Sequence, residues 1–220
     1  MSFWEPLQEQ FERSGNPQRA KQQEAYMRNQ YEFYGIMMGP LKALLNEFYK
    51  TNKATDWEEL KEQVLWCWEQ PQREWQMVGM NYLQKMKKLW GEDLIEFSEV
   101  LITTKSWWDT VDFLASNAVG EFLKDKPELA VQEMGAWNHS GHKWKIRTSI
   151  IFQLKYKNEV NHKFLAHAIL NHSDSKEFFL NKASGWALRQ YSRFNPEWVK
   201  GFIEYNTLSN LTVREGGKYL

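Results

Sequence analysis

Residues 105–112 read Lys-Ser-Trp-Trp-Asp-Thr-Val-Asp, and this segment predicts the start of an α-helix. Ser106 and Asp109 have the spacing of a capping box, with aspartate in place of the usual glutamate. An acid in the first turn also interacts favourably with the helix dipole, which accounts for Asp109. Asp112 follows Trp108 by four residues, so the indole and the second carboxylate share one face of the predicted helix.

Helical periodicity continues on both sides of this segment, and no stretch shows the sustained period-2 alternation of a β-hairpin. The chain is therefore predicted to be all-α. Breakers and helix-start residues divide it into about a dozen helices of about 10 to 18 residues, with Pro71 at the first position of one of them. Many short helices with tight links favour a curved α-solenoid over a four-helix bundle. The length favours one continuous domain, residues 1–220.

Composition limits the classes of protein to be considered. The 220 residues carry 28 basic and 28 acidic side chains, so any attraction for a polyanion must be local. The chain has 12 Trp, 9 Tyr and 13 Phe at a mean hydropathy of -0.68, so these rings either pack a large core or face a ligand. Cys67 is the single cysteine, which excludes an intramolecular disulfide. Without an apolar run of roughly 20 residues or the pattern of a signal peptide, a cytoplasmic protein is expected.

Three polar or aromatic side chains suggest a site, and each also has a structural interpretation. Arg147 lies in an apolar helix, where an unpaired guanidinium is costly, so it should meet a phosphate or form a structural bridge to an aspartate. Trp108 and Asp112 either face a ligand together or serve as a core residue and the partner of a nearby base. The five histidines have no HExxH spacing and no thiolate neighbours, so no metal site is predicted.

Basic residues gather locally although the chain is neutral. Residues 142–163 contain six lysines and arginines against Glu159 alone. In residues 182–193, Arg189 and Arg193 share one helical face, where they could contact phosphates or simply be solvated. The small residues before Trp186 allow close approach of a neighbouring helix or of a ligand. The six basic residues of the first segment are Lys143, Lys145, Arg147, Lys155, Lys157 and Lys163.

The Trp-Trp-Asp-x-Val-Asp run at 107–112 and the Gly-Trp-Ala-Leu-Arg run at 185–189 resemble motifs of a known family. The family is that of the AlkD-type alkylpurine DNA glycosylases, which are DNA alkylation repair enzymes built from HEAT-like repeats. The two runs together are specific signals, and the resemblance covers the whole chain. Its other segments are 25–30, 33–36, 147–150, 208–209 and 213–215.

The resemblance implies a curved solenoid of HEAT-like repeats and a monofunctional glycosylase that removes cationic N3- and N7-alkylated purines from duplex DNA. It implies that Trp108 and Trp186 are aromatic walls beside the damaged nucleotide, that Asp112 is the catalytic carboxylate, and that Arg147 contacts the DNA backbone and supports Asp112. The chain departs from the family at Ile146, where a second arginine is frequent. We expect a monomer without a cofactor. Contacts with DNA are expected from Tyr26, Lys143, Lys145, Lys155, Arg189 and Arg193.

A single carboxylate fits the chemistry of such a substrate. A purine alkylated at N3 or N7 already carries positive charge and leaves as a neutral base, so the general acid of most glycoside hydrolases is dispensable. Asp112 would then favour the oxocarbenium-like sugar and orient water. The alternative hypothesis is a non-catalytic HEAT-like scaffold that binds DNA or a protein through its concave face. The joint presence of Trp108, Asp112, Arg147 and Trp186 favours the enzyme.

Overall fold

The computed structural model describes residues 3–220, and its regular structure in that range is helical. No β-strand forms among these residues, although an isolated parallel bridge joins Glu32 to Gln72. The chain divides into two compact units, one up to Gly91 and one from Glu92 to Leu220. The all-α prediction is confirmed, and the single domain over residues 1–220 stays a prediction. None of the described helices is both long and apolar enough to cross a membrane.

Several helices that follow one another in the chain pack together, as α4 with α5 and α9 with α10 do. Those of the first unit are α1 (Glu5–Ser14), α2 (Pro17–Tyr26), α3 (Met38–Thr51), α4 (Trp57–Glu69) and α5 (Arg73–Lys85). Those of the second unit are α6 (Leu94–Thr103), α7 (Trp108–Leu114), α8 (Gly120–Leu123), α9 (Pro127–Asn138), α10 (Lys143–Ile151), α11 (His162–Leu170), α12 (Phe178–Ser192), α13 (Pro196–Tyr205) and α14 (Asn210–Gly216).

Aromatic side chains fill the core of the first unit. Trp4 stacks on Phe48 with ring centroids 5.1 Å apart and meets Tyr82 edge to face at 5.2 Å. Trp75 and Trp66 make a further edge-to-face contact at 4.9 Å. Such pairs stabilise a core beyond the burial of their area. Much of the aromatic excess in the sequence is therefore used for packing.

A buried carboxylate holds the backbone of residues 33–36, which form one segment of the family resemblance. Glu74 of α5 is fully buried and accepts hydrogen bonds from the backbone N–H groups of Tyr34, Gly35 and Ile36 at 3.0 to 3.1 Å. Burial raises the pKa of the Glu74 carboxyl, and these hydrogen bonds oppose that rise. Gly35 has φ of +85°, and a Cβ there would lie 2.1 Å from the carbonyl oxygen of Asn16. This turn therefore requires glycine.

The expectation that Pro71 occupies the first helical position is wrong. Helix α5 begins at Arg73, and Gln72 before it has extended backbone, with φ of -78° and ψ of 132°. The backbone N–H of Arg73 donates to the carbonyl of Glu32 at 2.8 Å, and its guanidinium lies over the ring of Tyr31 at 4.0 Å. These contacts with Tyr31 and Glu32 hold the backbone before Arg73 extended, so the helix begins two residues later than predicted.

The predicted capping box at Ser106 is also wrong. Helix α7 begins at Trp108, and extended backbone at Trp107 precedes it. The Ser106 hydroxyl instead donates to the carbonyl of Ile102 at 2.7 Å, which satisfies an acceptor at the end of α6. Lys105 next to it has φ of +46°, so the chain turns sharply at this point. Ser106 thus completes the preceding helix.

Helix α7 is shorter than predicted because a π-helical turn, Ala115–Val119, follows it directly. The Ser116 hydroxyl donates to the backbone carbonyl of Asp112 at 3.0 Å within this turn. At Gly120, where α8 begins, a Cβ would lie 2.2 Å from the carbonyl oxygen of Phe152. Single π-turns inside helices are rare, and those that occur are often at functional sites. The close approach at Gly120 ties this helical segment to the chain that follows α10.

Helix α10 is the centre of the second unit. It packs against α9 and α12, and also against α6, α7 and α11. Seven of its nine residues are buried, including Ile150 and Ile151, which are completely shielded from solvent. This packing explains why the sequence around Arg147 is apolar. It also brings α7, with Trp108 and Asp112, and α12, with Trp186, beside the arginine.

Candidate active site

Helices α7, α10 and α12 together form a cleft in the second unit. Its cavity has a volume of about 240 Å³. Five of the predicted site residues meet in it, and three further residues complete the lining. The eight residues that line it are Trp108, Asp112, Arg147, Phe178, Phe179, Lys182, Trp186 and Arg189.

An ion pair between Asp112 of α7 and Arg147 of α10 lies in this cleft. Arg147 Nε donates to Asp112 Oδ1 at 2.7 Å, and Arg147 Nη2 donates to Asp112 Oδ2 at 2.8 Å. A third guanidinium nitrogen, Nη1, donates to the backbone carbonyl of Phe179 at the start of α12. The side chain of Arg147 is 4% exposed and that of Asp112 is 15% exposed. The arginine therefore fixes the carboxylate and ties it to α12.

The geometry of this pair is that of an ionised carboxylate. Both oxygens of Asp112 accept hydrogen bonds, which a protonated carboxyl would do less well, and the guanidinium remains charged. Burial raises the pKa of the Asp112 carboxyl above its ordinary value. The hydrogen bonds and charge of Arg147 oppose this rise, and the charge of Asp109 adds to it. Each oxygen keeps a second lone pair for water or substrate.

Two tryptophans that the family resemblance names, Trp108 and Trp186, line the cleft. Trp108 and Trp186 are both partly exposed. Trp107 has a different role, because it is 8% exposed and packs edge to face against Trp144 and Phe179 at 5.9 and 5.3 Å. Of these two adjacent tryptophans, the core residue is therefore Trp107, whereas Trp108 is partly exposed.

Sequence reasoning missed three residues of the lining, Phe178, Phe179 and Lys182. Phe178 is 56% exposed, and Phe179 contacts Arg147 through both its ring and its backbone carbonyl. Phe179, Lys182 and Trp186 lie at helical spacing on one face of α12. That spacing, read backward from Trp186, was the available signal.

A second buried carboxylate, Glu215 of α14, holds cations of the cleft. Lys182 Nζ lies 3.0 Å and Arg189 Nη1 2.8 Å from Glu215 Oε2. Lys218 Nζ lies 3.0 Å from each of the two carboxylate oxygens. Glu215 lies in residues 213–215, a segment of the family resemblance to which the sequence pattern assigned no role.

Other predicted DNA-binding residues differ in how far they are available. Lys143 is exposed and lies 5.6 Å from the ring of Phe179. Lys145 pairs with Glu99 at 2.7 Å, and its side chain is 17% exposed. Lys145 therefore already has an acidic partner within this unit.

Three further predicted contacts lie outside the cleft lining. Lys155 is exposed and donates to the side-chain oxygen of Asn117. Arg193 lies over the ring of Tyr219 at 4.6 Å and donates to its hydroxyl at 2.8 Å. Tyr26 belongs to the first unit and is 71% exposed. All three contacts with DNA stay predictions.

Ile146, the departure from the family pattern, is 5% exposed and is not part of the cleft lining. Its backbone carbonyl accepts a hydrogen bond from Ser149 at 2.7 Å. Among residues 3–220, no group of three or more His, Cys, Asp or Glu side chains is placed to hold a metal ion.

The fold and the cleft define an all-helical protein whose cleft is lined by an oriented carboxylate, aromatic rings and cations. A family model described as DNA alkylation repair enzyme matches residues 7–220, and the chain belongs to this family. A solved structure described as a predicted DNA alkylation repair enzyme from Enterococcus faecalis is 31% identical, with a TM-score of 0.87. The match covers 94% of this chain and 97% of that one. No curated protein matches the chain.

These comparisons confirm the predicted family. Membership supports a role in the repair of alkylated DNA, and it implies that the protein binds DNA. The family description names neither the reaction nor the role of any side chain.

Proposed function

We propose that this protein is a DNA glycosylase that hydrolyses the N-glycosidic bond of cationic N3- and N7-alkylated purines in duplex DNA. One observation carries the proposal: Asp112, with both carboxylate oxygens bonded to Arg147, lines the same cleft as Trp108 and Trp186. The family description, DNA alkylation repair enzyme, supports alkylated DNA as the substrate. The cations Lys182 and Arg189 of the same cleft suit a phosphate backbone.

Asp112 would act on the sugar. As the glycosidic bond breaks, positive charge develops at the anomeric carbon, and the carboxylate attracts that charge while its free lone pairs orient a water molecule. A unit charge pair at about 4 Å and an effective dielectric near 20 is worth roughly 4 kcal/mol, or about three decades of rate. This is an upper figure, because Arg147 neutralises part of the charge of the carboxylate.

Arg147 would set the orientation of Asp112 without moving a proton. Its three hydrogen bonds join Asp112 of α7 to Phe179 of α12, so the carboxylate cannot rotate freely. Preorganised charge of this kind needs little rearrangement during the reaction. The arginine also keeps a positive charge near the cleft, where it suits a phosphate of the damaged strand.

Trp108 and Trp186 would favour damaged over normal bases. An indole face attracts a cation by about 0.5 to 2 kcal/mol, and a normal purine is neutral. The resemblance also implies that contacts fall on the sugar and backbone, so the lesion need not rotate into a closed pocket. The open cleft of about 240 Å³ suits such recognition, and bulky cationic adducts would then be accepted.

The contacts with flanking phosphates would come from exposed cations. Within the second unit these are Lys143 and Lys155, together with Arg193 at the end of α12. Tyr26 in the first unit would add a further contact. Lys145 would contribute less than the sequence alone suggested, because Glu99 partly neutralises it.

The test is a glycosylase assay on methylated duplex DNA. Wild-type protein is incubated with duplex treated with a methylating agent, and released bases are identified by mass spectrometry against the untreated duplex. The proposal predicts release of N7-methylguanine and N3-methyladenine and no release of normal purines. Binding of duplex without release of any methylated base would contradict it and support the scaffold hypothesis.

A further inference from the structure

Glu215 occupies an unusual position relative to the cations around it. Its residue exposure is 3%, whereas the side chains of Lys182, Arg189 and Lys218 are 39%, 23% and 46% exposed. A buried carboxylate thus holds three cations whose side chains are partly exposed. Two of them, Lys182 and Arg189, line the candidate active site.

The close packing of α12 against α14 makes this arrangement possible. A Cβ at Gly185 would lie 2.5 Å from the Cβ of Glu215 and 3.0 Å from the carbonyl oxygen of Thr212. Glycine at 185 therefore lets α14 approach until Glu215 can reach residues on both sides of it in α12. The helix interface was one of the two interpretations of the small residues before Trp186, and it is the one that the packing supports.

The charges of this cluster do not balance. One carboxylate facing three cations leaves two positive charges in excess, and the cations repel one another. Burial of a carboxylate is itself costly unless it is well paired. Hydrogen bonds from Lys182 and Lys218 lower the pKa of the Glu215 carboxyl to about 2, so it remains ionised throughout the neutral range. The result is an ordered cluster with a net positive charge at the cleft.

We propose that Glu215 is a positioning residue, which holds Lys182 and Arg189 where they contact phosphates on either side of the damaged nucleotide. This inference rests on the proposed function. The bond to Glu215 uses one of the five N–H donors of Arg189, so others remain for a phosphate. Lysine and arginine side chains have large rotamer entropy, and ordering them before DNA binds removes part of that cost from the binding step.

The proposal reverses the sign expected from net charge, and this makes it testable. Glu215→Gln adds one positive charge, so long-range electrostatics alone predicts tighter binding of DNA. Loss of positioning predicts binding that is weaker by about threefold to tenfold. It also predicts that the slope of log affinity against log salt concentration decreases by the amount expected for about one phosphate contact. The measurement is fluorescence anisotropy with an undamaged labelled duplex over a range of salt concentrations.

Glu204→Gln is the matched control, because it makes the same charge change at an exposed position of α13. Its affinity should equal or slightly exceed that of the wild type. If Glu215→Gln binds DNA as tightly as this control, the proposal is overturned. Equal melting temperatures of the variants and the wild type would establish that both are folded.

Glu215→Asp decides the question if Glu215→Gln does not fold. It keeps the charge and withdraws the carboxylate by about 1.5 Å, one carbon–carbon bond. We expect DNA affinity about twofold to fivefold below that of the wild type. Wild-type affinity in a folded Glu215→Asp variant would overturn the proposal.

A kinetic comparison separates positioning from catalysis. At saturating protein, single-turnover base release by Glu215→Gln should change less than its dissociation constant for DNA, because Glu215 does not touch the reacting atoms. A loss confined to the rate constant would overturn the positioning role. Wild-type protein that releases no base would refute the proposed function instead, while the binding comparison would still test Glu215.

Discussion

Replacement of Arg147 by methionine should leave Asp112 as an unpaired, largely buried carboxylate. The substitution removes the bonds at 2.7 and 2.8 Å and also the bond to the carbonyl of Phe179. Breaking a buried pair in this way costs about 3 to 5 kcal/mol. The 15% exposure of Asp112 places the expected loss near the lower value, about 3 kcal/mol, because water can partly solvate the carboxylate.

A double-mutant cycle measured by urea unfolding isolates this interaction. Asp112→Asn in the Arg147→Met background removes the stranded charge and should recover about 1 to 3 kcal/mol of the free energy of unfolding. Lys145→Met is the matched control on the same helix. Its pair with Glu99 is more exposed and should cost about 1 kcal/mol or less. The reasoning is refuted if Arg147→Met lowers the free energy of unfolding by no more than this control. It is also refuted if the double variant loses the sum of what Arg147→Met and Asp112→Asn lose separately.

Three further outcomes follow from the same geometry. Because burial raises the pKa of Asp112 and the active form is the carboxylate, base release should fall on acidification with a midpoint above the ordinary aspartate value of 3.8; a midpoint at or below 3.8, after subtraction of spontaneous depurination, would contradict this. Trp186→Ala should slow release of N7-methylguanine by about twofold to thirtyfold without unfolding the protein, as checked by circular dichroism. Gly185→Ala should destabilise the fold by about 1 to 3 kcal/mol in urea, because the added methyl overlaps Glu215; an unchanged midpoint would argue against the close helix contact.

The sequence predicted the fold class, and the family resemblance named Trp108, Asp112, Arg147 and Trp186, all of which line one cleft in the structure. Helical periodicity gave the all-α fold, and the spacing of Trp108 and Asp112 placed them on one face. The apolar surroundings of Arg147 indicated that it needed a partner. The sequence left open whether Arg147 forms a structural bridge to an aspartate or belongs to a ligand site. In the structure both apply, because its bridge to Asp112 lies within the cleft.

Features that depend on contacts between distant segments were not predictable from periodicity. Glu215 is 26 residues from Arg189 in the chain, and only the packing of α14 on α12 brings them together. The hydroxyl of Ser106 could cap the next helix or complete the preceding one, and local spacing does not distinguish these uses. The start of α5 likewise depends on a backbone pairing with Glu32, which no local signal at Pro71 records.

Single-turnover release of N7-methylguanine by Asp112→Asn tests the central claim most directly. Asp109→Asn, on the same helix but outside the cleft lining, is the control for loss of a carboxylate. The account predicts that Asp112→Asn folds and binds duplex DNA but releases the base about a hundredfold to a thousandfold more slowly, whereas Asp109→Asn retains the wild-type rate. Release by Asp112→Asn within threefold of the wild-type rate would contradict the assignment of Asp112 as the catalytic carboxylate.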